Sequence, residues 1–335
     1  MLKRIAINGF GRIGRQTANI LLKNFPDLEL VAINDLTDNA TLAHLFKYDS
    51  VYGAYEGEVS ADEQFITIDG HKIRALAEKD PAHLSWKDLK IDIVIESTGI
   101  FRTFEAASAH LDAGAKKVIL SSPGKGATVI PLFVPGVNHT DYNPDMNVVS
   151  MASCTTNCLA PILKVLQENI GIEKALMSTI HSYTNDQKLL DLPHKDLRRA
   201  RAAGLSIIPT TTGAATAAAQ TVPDMENKID GLSFRVPTPV VSLVDLVAVV
   251  KKDTSVKEIN GWFTSAASGP LKNILAVTEQ PLVSRDYTQD PRSSIVDLPL
   301  TQVIGNLVKI CAWYDNEWGY SNRLAEFTEH IAKTS

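Results

Sequence analysis

The sequence predicts an α/β protein in two parts: a doubly wound parallel sheet, then an α+β domain with a mostly antiparallel sheet. Three observations carry this. The opening segment through Leu36 reads as strand, glycine turn, helix, strand. Short apolar runs then alternate with helical stretches up to about residue 150, the rhythm of a parallel sheet covered by helices. Beyond that point longer β-rich runs take over. At roughly 150 residues per domain, 335 residues make about two domains, and 44% hydrophobic residues exclude disorder for most of the chain.

The first strand is Arg4-Ile5-Ala6-Ile7, followed by Asn8-Gly9-Phe10-Gly11-Arg12-Ile13-Gly14, an apolar helical segment and a second strand from Leu28 to Ile33. Gly9, Gly11 and Gly14 form G-x-G-x-x-G between a strand and a helix. The first glycine permits a tight turn, the second lets backbone approach a pyrophosphate, and the third lets helix pack on strand. Amide groups at the helix start then face the phosphates. Asp35 lies 21 residues beyond Gly14, at the end of the second strand, where a carboxylate can accept hydrogen bonds from an adenosine ribose. The pattern points to a Rossmann-like site for NAD. NADP is disfavoured because its 2′-phosphate would meet Asp35, and Leu36-Thr37-Asp38 supplies no cation. An ordinary turn followed by a solvated loop acid is the competing reading.

The alternation continues with Ile91 to Ile95, a helix over Thr103 to Ala113, and Lys117 to Leu120. A strand-like Asn147 to Ser150 precedes a helix from Ser153 to the Gly171 stop. The β-rich runs are Ala175 to Thr184, Gly231 to Val236 and Val240 to Val250. Ser255 and Glu258 have capping-box spacing and open a helix through Ala267, and Leu324, Phe327 and Ile331 share one face of a final helix.

Ser153-Cys154-Thr155-Thr156-Asn157-Cys158 places Cys154 in the first turn of a helix. There the helix dipole lowers a thiol pKa and unpaired amides can stabilise an oxyanion. Cys158, four residues on, reads as a small buried hydrophobe. No further Cys or His cluster completes a metal set, so no metal is expected. Among eight histidines, His181 ends a β-rich run and opens the polar stretch to Gln187, an expected exposed loop. A neutral imidazole there could take a proton from the thiol or from an intermediate. Thr210-Thr211-Thr212-Gly213, Arg198-Arg199-Ala200-Arg201 and Arg235 suit phosphate binding, with a solvated basic helix and a surface arginine as the alternative.

Thirty-three Lys plus Arg against 38 Asp plus Glu give a net charge of -5, which offers no attraction to nucleic acid or an anionic membrane. No apolar run approaches the roughly 18 residues of a membrane span, and Lys3, Arg4 and Asn8-Gly9 interrupt any secretory h-region. Three cysteines without such a signal suggest reduced thiols in the cytoplasm.

Taken together, Ile7 through Arg15, Asn34-Asp35-Leu36, Ser97-Thr98-Gly99, Ala152 through Pro161, His181 through Gln187, Thr212 through Ala215 and Trp313 through Glu317 resemble the phosphorylating glyceraldehyde-3-phosphate dehydrogenases. The resemblance covers essentially the whole chain. It implies an NAD-binding domain over 1–150, a catalytic domain over 151–316, and a terminal helix, 317–335, returning to the first domain. It implies oxidation of glyceraldehyde 3-phosphate to 1,3-bisphosphoglycerate through a hemithioacetal and thioester on Cys154, with His181 as base. Arg12 and Ile13 would meet the pyrophosphate through backbone amides, Ser121 would lie near the nicotinamide, Asn316 would orient its amide, and Lys79 would stand in the cofactor site. Thr184 and Arg235 would hold the substrate's phosphate. Ser153, Thr155, Arg199, Thr212 and Gly213 would hold inorganic phosphate. A homotetramer is implied, and Leu192-Pro193 is typical of NAD-preferring members. Met151, Lys79 and Thr216 depart from the usual Asn, Arg and Lys. An erythrose-4-phosphate dehydrogenase, or a degenerate NAD-linked interaction protein, remains the alternative.

Overall fold

A computed structural model of the chain describes residues 2–334. Its contacts fall into two units. The first comprises the chain up to Phe133, Asp141–Ala152 and the residues from Ser321 on; the second comprises Val134–Thr140 and Ser153–Tyr320. The boundaries expected at 150/151 and 316/317 therefore fall at 152/153 and 320/321. The first shift has a local cause: Met151 still donates its N–H to Leu120 O (3.0 Å), so the chain leaves the first sheet only after it.

The first unit holds β1 (Lys3–Asn8), α1 (Arg12–Asn24), β2 (Leu28–Asn34), α2 (Asn39–Lys47) and the two-residue strands β3 (Tyr48–Asp49) and β4 (Gly53–Ala54). There follow β5 (Val59–Ala61), β6 (Phe65–Ile68), β7 (His71–Leu76), β8 (Ile93–Glu96), α3 (Phe104–Asp112), β9 (Lys117–Leu120) and β10 (Val148–Ser150). Its sheet runs β10-β9-β8-β1-β2-β7-β6-β5, parallel from β10 through β7 and antiparallel beyond. The central strands are buried on both faces, which is why they read as unbroken apolar runs. From β1 the chain winds outward to β2 in one direction and later through β8, β9 and β10 in the other. The carboxyl ends of β1 and β8 thus flank a topological switch point, the place where open α/β sheets bind ligands.

In the second unit, α4 (Cys154–Asn169) leads into β11 (Ile172–Ser182), β12 (Ile208–Thr211), α5 (Ala214–Ala219), β13 (Ile229–Val236) and β14 (Ser242–Val250). Then come α6 (Val256–Ser268), β15 (Leu275–Thr278), β16 (Ser294–Asp297), β17 (Gln302–Ile304) and β18 (Leu307–Tyr314). The strand order is β12-β13-β11-β14-β18-β16-β15, with β17 on β18. The β11–β13 and β15–β16 pairs are parallel and the others antiparallel, so the sheet is mostly antiparallel. Strict alternation of burial along β14 marks a sheet with one covered face. Ser255 caps α6, its Oγ accepting from Glu258 N (3.2 Å) and donating to Glu258 Oε2 (2.9 Å). α7 (Trp318–Thr334) is amphipathic, and Phe327 packs on Phe133 within the first unit at 5.5 Å between ring centroids.

Candidate functional site

In the first unit a cavity of about 480 Å³ opens at the switch point, lined by residues that follow β1, β2, β7 and β8. Gly9, Gly11, Asp35 and Lys79 line it, together with Asn8, Asn34, Leu36, Ser97 and Thr98. The glycines are there for space. Gly9 has φ +92°, and a Cβ on it would lie 2.6 Å from Thr98 N; a Cβ on Gly14 would lie 2.1 Å from Gly9 O. Helix α1 starts at Gly11, which has no side chain to cap it. The Arg12 side chain turns to Asp49 (2.6 Å), leaving Arg12 and Ile13 only their backbone to offer a ligand. Asp35 Oδ2 accepts from Phe10 N (2.9 Å) and Oδ1 from Thr37 N (3.1 Å), which fixes the carboxylate with lone pairs to spare. An uncapped helix start, a glycine turn without room for side chains, and an oriented carboxylate fit a dinucleotide. Asp38 has a structural duty as well: it caps α2, and its bonds from Thr41 hold its carboxyl below the usual range. Ser121 follows β9, its N–H on Glu96 O (2.9 Å), outside this cavity's lining.

The thiol site is built wholly in the second unit. Ser153 caps α4, its Oγ accepting from Thr156 N (3.1 Å), and this places Cys154 in the first turn. The preceding Ala152 has φ +56°, a conformation uncommon outside glycine, at the point where strand becomes helix. Cys154 Sγ lies 3.4 Å from His181 Nε2. His181 Nδ1 sits 2.6 Å from Ser182 O, which can only accept, and 3.2 Å from Arg235 Nη1, which can only donate; the much shorter contact to Ser182 O puts the proton on Nδ1, so Nε2 presents a lone pair to the thiol.

Two expectations need correction here. His181 is not in an exposed loop: it lies within β11 and is 4% exposed. Nor is the thiol lowered by its helix. Burial pushes Cys154 up and outweighs both the Arg235 charge and the Thr155 amide, while burial, with Arg235 beside it, pushes His181 down to about 3. The pair therefore rests as thiol and neutral imidazole. Cys158 is fully buried, its Sγ 3.6 Å from Ser294 Oγ, and burial pushes it up too.

Arg235 reaches the site through strand register: β13 runs parallel to β11 with Arg235 opposite His181. Its Nη1 donates to Ser182 O (3.2 Å) and Thr184 Oγ1 (3.3 Å), and its Nε is buried without a partner, as a guanidinium awaiting an anion would be. Arg199 is different. It is not on a helix, and it pairs with Asp186, Thr210 Oγ1 (2.9 Å) and Thr211 O (3.2 Å). Thr212 Oγ1 accepts from Ala214 N (3.1 Å) beside Gly213, which starts α5. Ser153 and Thr155 offer less than expected, because the first hydroxyl caps α4 and the second bonds Tyr314 OH (2.9 Å) in the interior. Asn316 is buried, its Oδ1 accepting from Ser242 Oγ (3.0 Å), which leaves its amide nitrogen as the outward donor.

Residue-by-residue reading missed two groups. Tyr314 OH bonds both Thr155 and Thr179 (2.9 Å each), and its ring meets His181 edge-on at 6.0 Å. Gln187 is buried, its Oε1 on Thr184 N (3.3 Å) and its Nε2 unpartnered. Both sit in quoted motifs, but only the fold turns them inward. Among the described residues no cluster of three or more His, Cys, Asp or Glu could hold a metal, and no helix is long and apolar enough to cross a membrane.

Comparison with known proteins agrees with this geometry. Residues 3–104 match the NAD binding domain of glyceraldehyde 3-phosphate dehydrogenase, and residues 153–316 match its C-terminal domain. The chain belongs to the glyceraldehyde-3-phosphate dehydrogenase family. It is 54% identical to the glyceraldehyde-3-phosphate dehydrogenase of Geobacillus stearothermophilus over 334 residues, 99% of each chain. It is also 54% identical to that of Zymomonas mobilis over 338 residues, all of both chains, and 53% identical to that of Streptomyces coelicolor over 99% of each. The C-terminal match begins at Ser153, where the chain leaves the first sheet, and the cofactor of this family is NAD.

Proposed function

We propose that this chain oxidises glyceraldehyde 3-phosphate with NAD and conserves the energy as an acyl phosphate, with Cys154 as nucleophile and His181 as base. The 3.4 Å approach of Cys154 Sγ to an imidazole lone pair at the start of α4 carries this reading. His181 Nε2 takes the thiol proton as sulfur attacks the aldehyde carbon, which gives a hemithioacetal. That proton is returned to the former carbonyl oxygen, and the same nitrogen then takes the resulting hydroxyl proton as the carbon gives up hydride. The bound nicotinamide supplies the hydride acceptor. A thioester remains, and a phosphate oxygen attacks its carbonyl and expels the Cys154 thiolate.

Gly9, Gly11, Arg12, Ile13, Gly14 and Asp35 would hold the dinucleotide, with Lys79, Ser121 and Asn316 as further contacts. Thr184 and Arg235 would take the substrate's phosphate, and the orphan Nε of Arg235 supports this assignment. For inorganic phosphate, Arg199, Thr212 and Gly213 are better supported than the Ser153 and Thr155 side chains, which are occupied. Binding there has to compete with the Arg199–Asp186 pair. Exposed Leu189, Leu190, Leu197 and Leu205 support burial against further copies in a homotetramer. The cytoplasm is the compartment this reading gives the chain. NADH formation from glyceraldehyde 3-phosphate, measured with and without phosphate, tests the reading. Strict phosphate dependence is expected, and equal rates without phosphate would favour an erythrose-4-phosphate-type dehydrogenase that lets water resolve the thioester.

A further inference from the structure

Beneath the glycine turn runs a buried polar chain that the hydride chemistry does not use. Glu96, the last residue of β8 and 3% exposed, accepts from Thr98 N (2.8 Å), Thr98 Oγ1, Asn8 Nδ2 (2.6 Å) and His110 Nε2 (3.0 Å). Asn8 Oδ1 accepts from Asn34 Nδ2 (2.7 Å), and Asn34 exchanges two 2.8 Å bonds with the backbone of Glu78. Asn8, Asn34, Glu78 and Thr98 all line the 480 Å³ cavity.

The far end of the chain settles where the protons are. Trp86 Nε1 can only donate, and it donates to Nδ1 of the fully buried His110 at 3.0 Å. Nδ1 therefore accepts, the ring's one proton is on Nε2, and it is given to Glu96. A carboxylate has about four acceptor positions and no donor, and four donors fill them here. Glu96 accordingly stands as a carboxylate beside a neutral imidazole.

We propose that Glu96 is a positioning residue for the cofactor: held by Trp86 and His110, it sets the Ser97–Thr98 turn and the Asn8–Asn34–Glu78 bridge to receive the adenosine half of NAD. The proposal rests on the reading of the cavity as the adenosine seat. Transmission is by contact. Thr98 N stands where a Gly9 Cβ would be, at 2.6 Å, and Ser97 Oγ donates to Gly9 O (2.6 Å), so Thr98 cannot move without moving the glycine turn.

Glu96→Gln preserves shape and exchanges one acceptor for a donor. Facing His110 and Asn8, the new amide would meet two donors, so its oxygen turns to them and its NH2 faces Thr98. The Thr98 hydroxyl can rotate to accept, but the Thr98 N–H cannot, and a buried amide loses its acceptor at the cavity wall. The test is calorimetric titration of NAD and of ADP-ribose into wild type, Glu96→Gln, Trp86→Phe and Asp35→Gly. Thermal unfolding without ligand reports folding, and steady-state kinetics complete the set. Folded Glu96→Gln is expected to weaken both ligands by the same factor, roughly ten-fold, while kcat at saturating NAD and the KM for the aldehyde stay within about two-fold of wild type. Trp86→Phe, which frees the imidazole at its far end, is expected to weaken both about three-fold and carries the test if Glu96→Gln does not fold. Unchanged affinity in the folded variants, with Asp35→Gly impaired, overturns the proposal alone. Unchanged affinity in Asp35→Gly as well would remove the reading of the cavity.

Discussion

The two sites of this chain are made in opposite ways. The dinucleotide pocket grows from loops at the ends of successive strands, and its chief feature, Gly9 to Gly14, is one contiguous stretch whose turn geometry is local. The thiol site gathers Cys154 from a helix start, His181 from the end of β11, Thr184 from the segment after it, Arg235 from β13 and Tyr314 from β18, and no two of these elements adjoin without an intervening register choice. Local sites depend on backbone conformation and fail when space is filled. Assembled sites depend on side-chain identity, and they fail one function at a time.

The largest expected effect tests that last statement. Cys154→Ser should cut turnover by on the order of 10³ or more while NAD affinity stays near wild type, because the nucleophile belongs to the second unit and the pocket to the first. Cys158→Ser, four residues away and buried against Ser294, should stay within a few-fold of wild-type turnover. Equal losses in the two variants would remove Cys154 from its role.

Next is the base. His181→Asn is expected to slow hydride transfer by roughly 10² to 10⁴ in single-turnover measurements, the usual weight of general acid–base catalysis. The same variant should slow alkylation of Cys154 at neutral pH, since a thiol raised by burial needs the imidazole to accept its proton. An unchanged alkylation rate would break the thiol–imidazole link.

Arginine chemistry sharpens the contrast within the second unit. Arg235→Leu should raise the KM for glyceraldehyde 3-phosphate about ten-fold or more, with loss of charge-assisted bonds, while Thr212→Ala should mainly raise the KM for inorganic phosphate. Identical defects in the two variants would merge the two anion sites into one.

The smallest effect is on stability. His181 is held down to about 3 when folded, against 6.5 ordinarily, so the unfolded chain binds more protons in that interval. Its neutral burial is unopposed above about pH 6.5 and is progressively penalised as pH falls toward 3. The Tm of wild type should therefore drop more steeply between pH 6.5 and 4.5 than that of His181→Asn, and parallel profiles would count against a neutral buried imidazole.

Much of the first unit was legible because its signals are local in sequence. Unbroken apolar strands, the glycine spacing and Asp35 at a strand end each follow from steric or solvation rules that act within a few residues. The hairpin strands β5 to β7 and helix α2 were not anticipated, since their short runs carry little periodicity. In the second unit, the cap at Ser255 and the cysteine at a helix start were readable. The burial of His181 was not, because its exposure depends on what packs over the end of β11.

By itself the sequence determined the order of the two units, the helix starts at Ser153 and Ser255, the glycine turn after the first strand, and the chemical types available for reaction. Tertiary structure alone decided that Arg235 lies beside His181, that the hydroxyl of Thr155 faces Tyr314, and that Arg199 is already paired with Asp186. It also decided the protonation of the reacting pair. Backbone dihedrals and caps are set by neighbours in the chain. Register and desolvation are set by neighbours in space, and a one-residue slip of β13 would have turned Arg235 to the other face of the sheet.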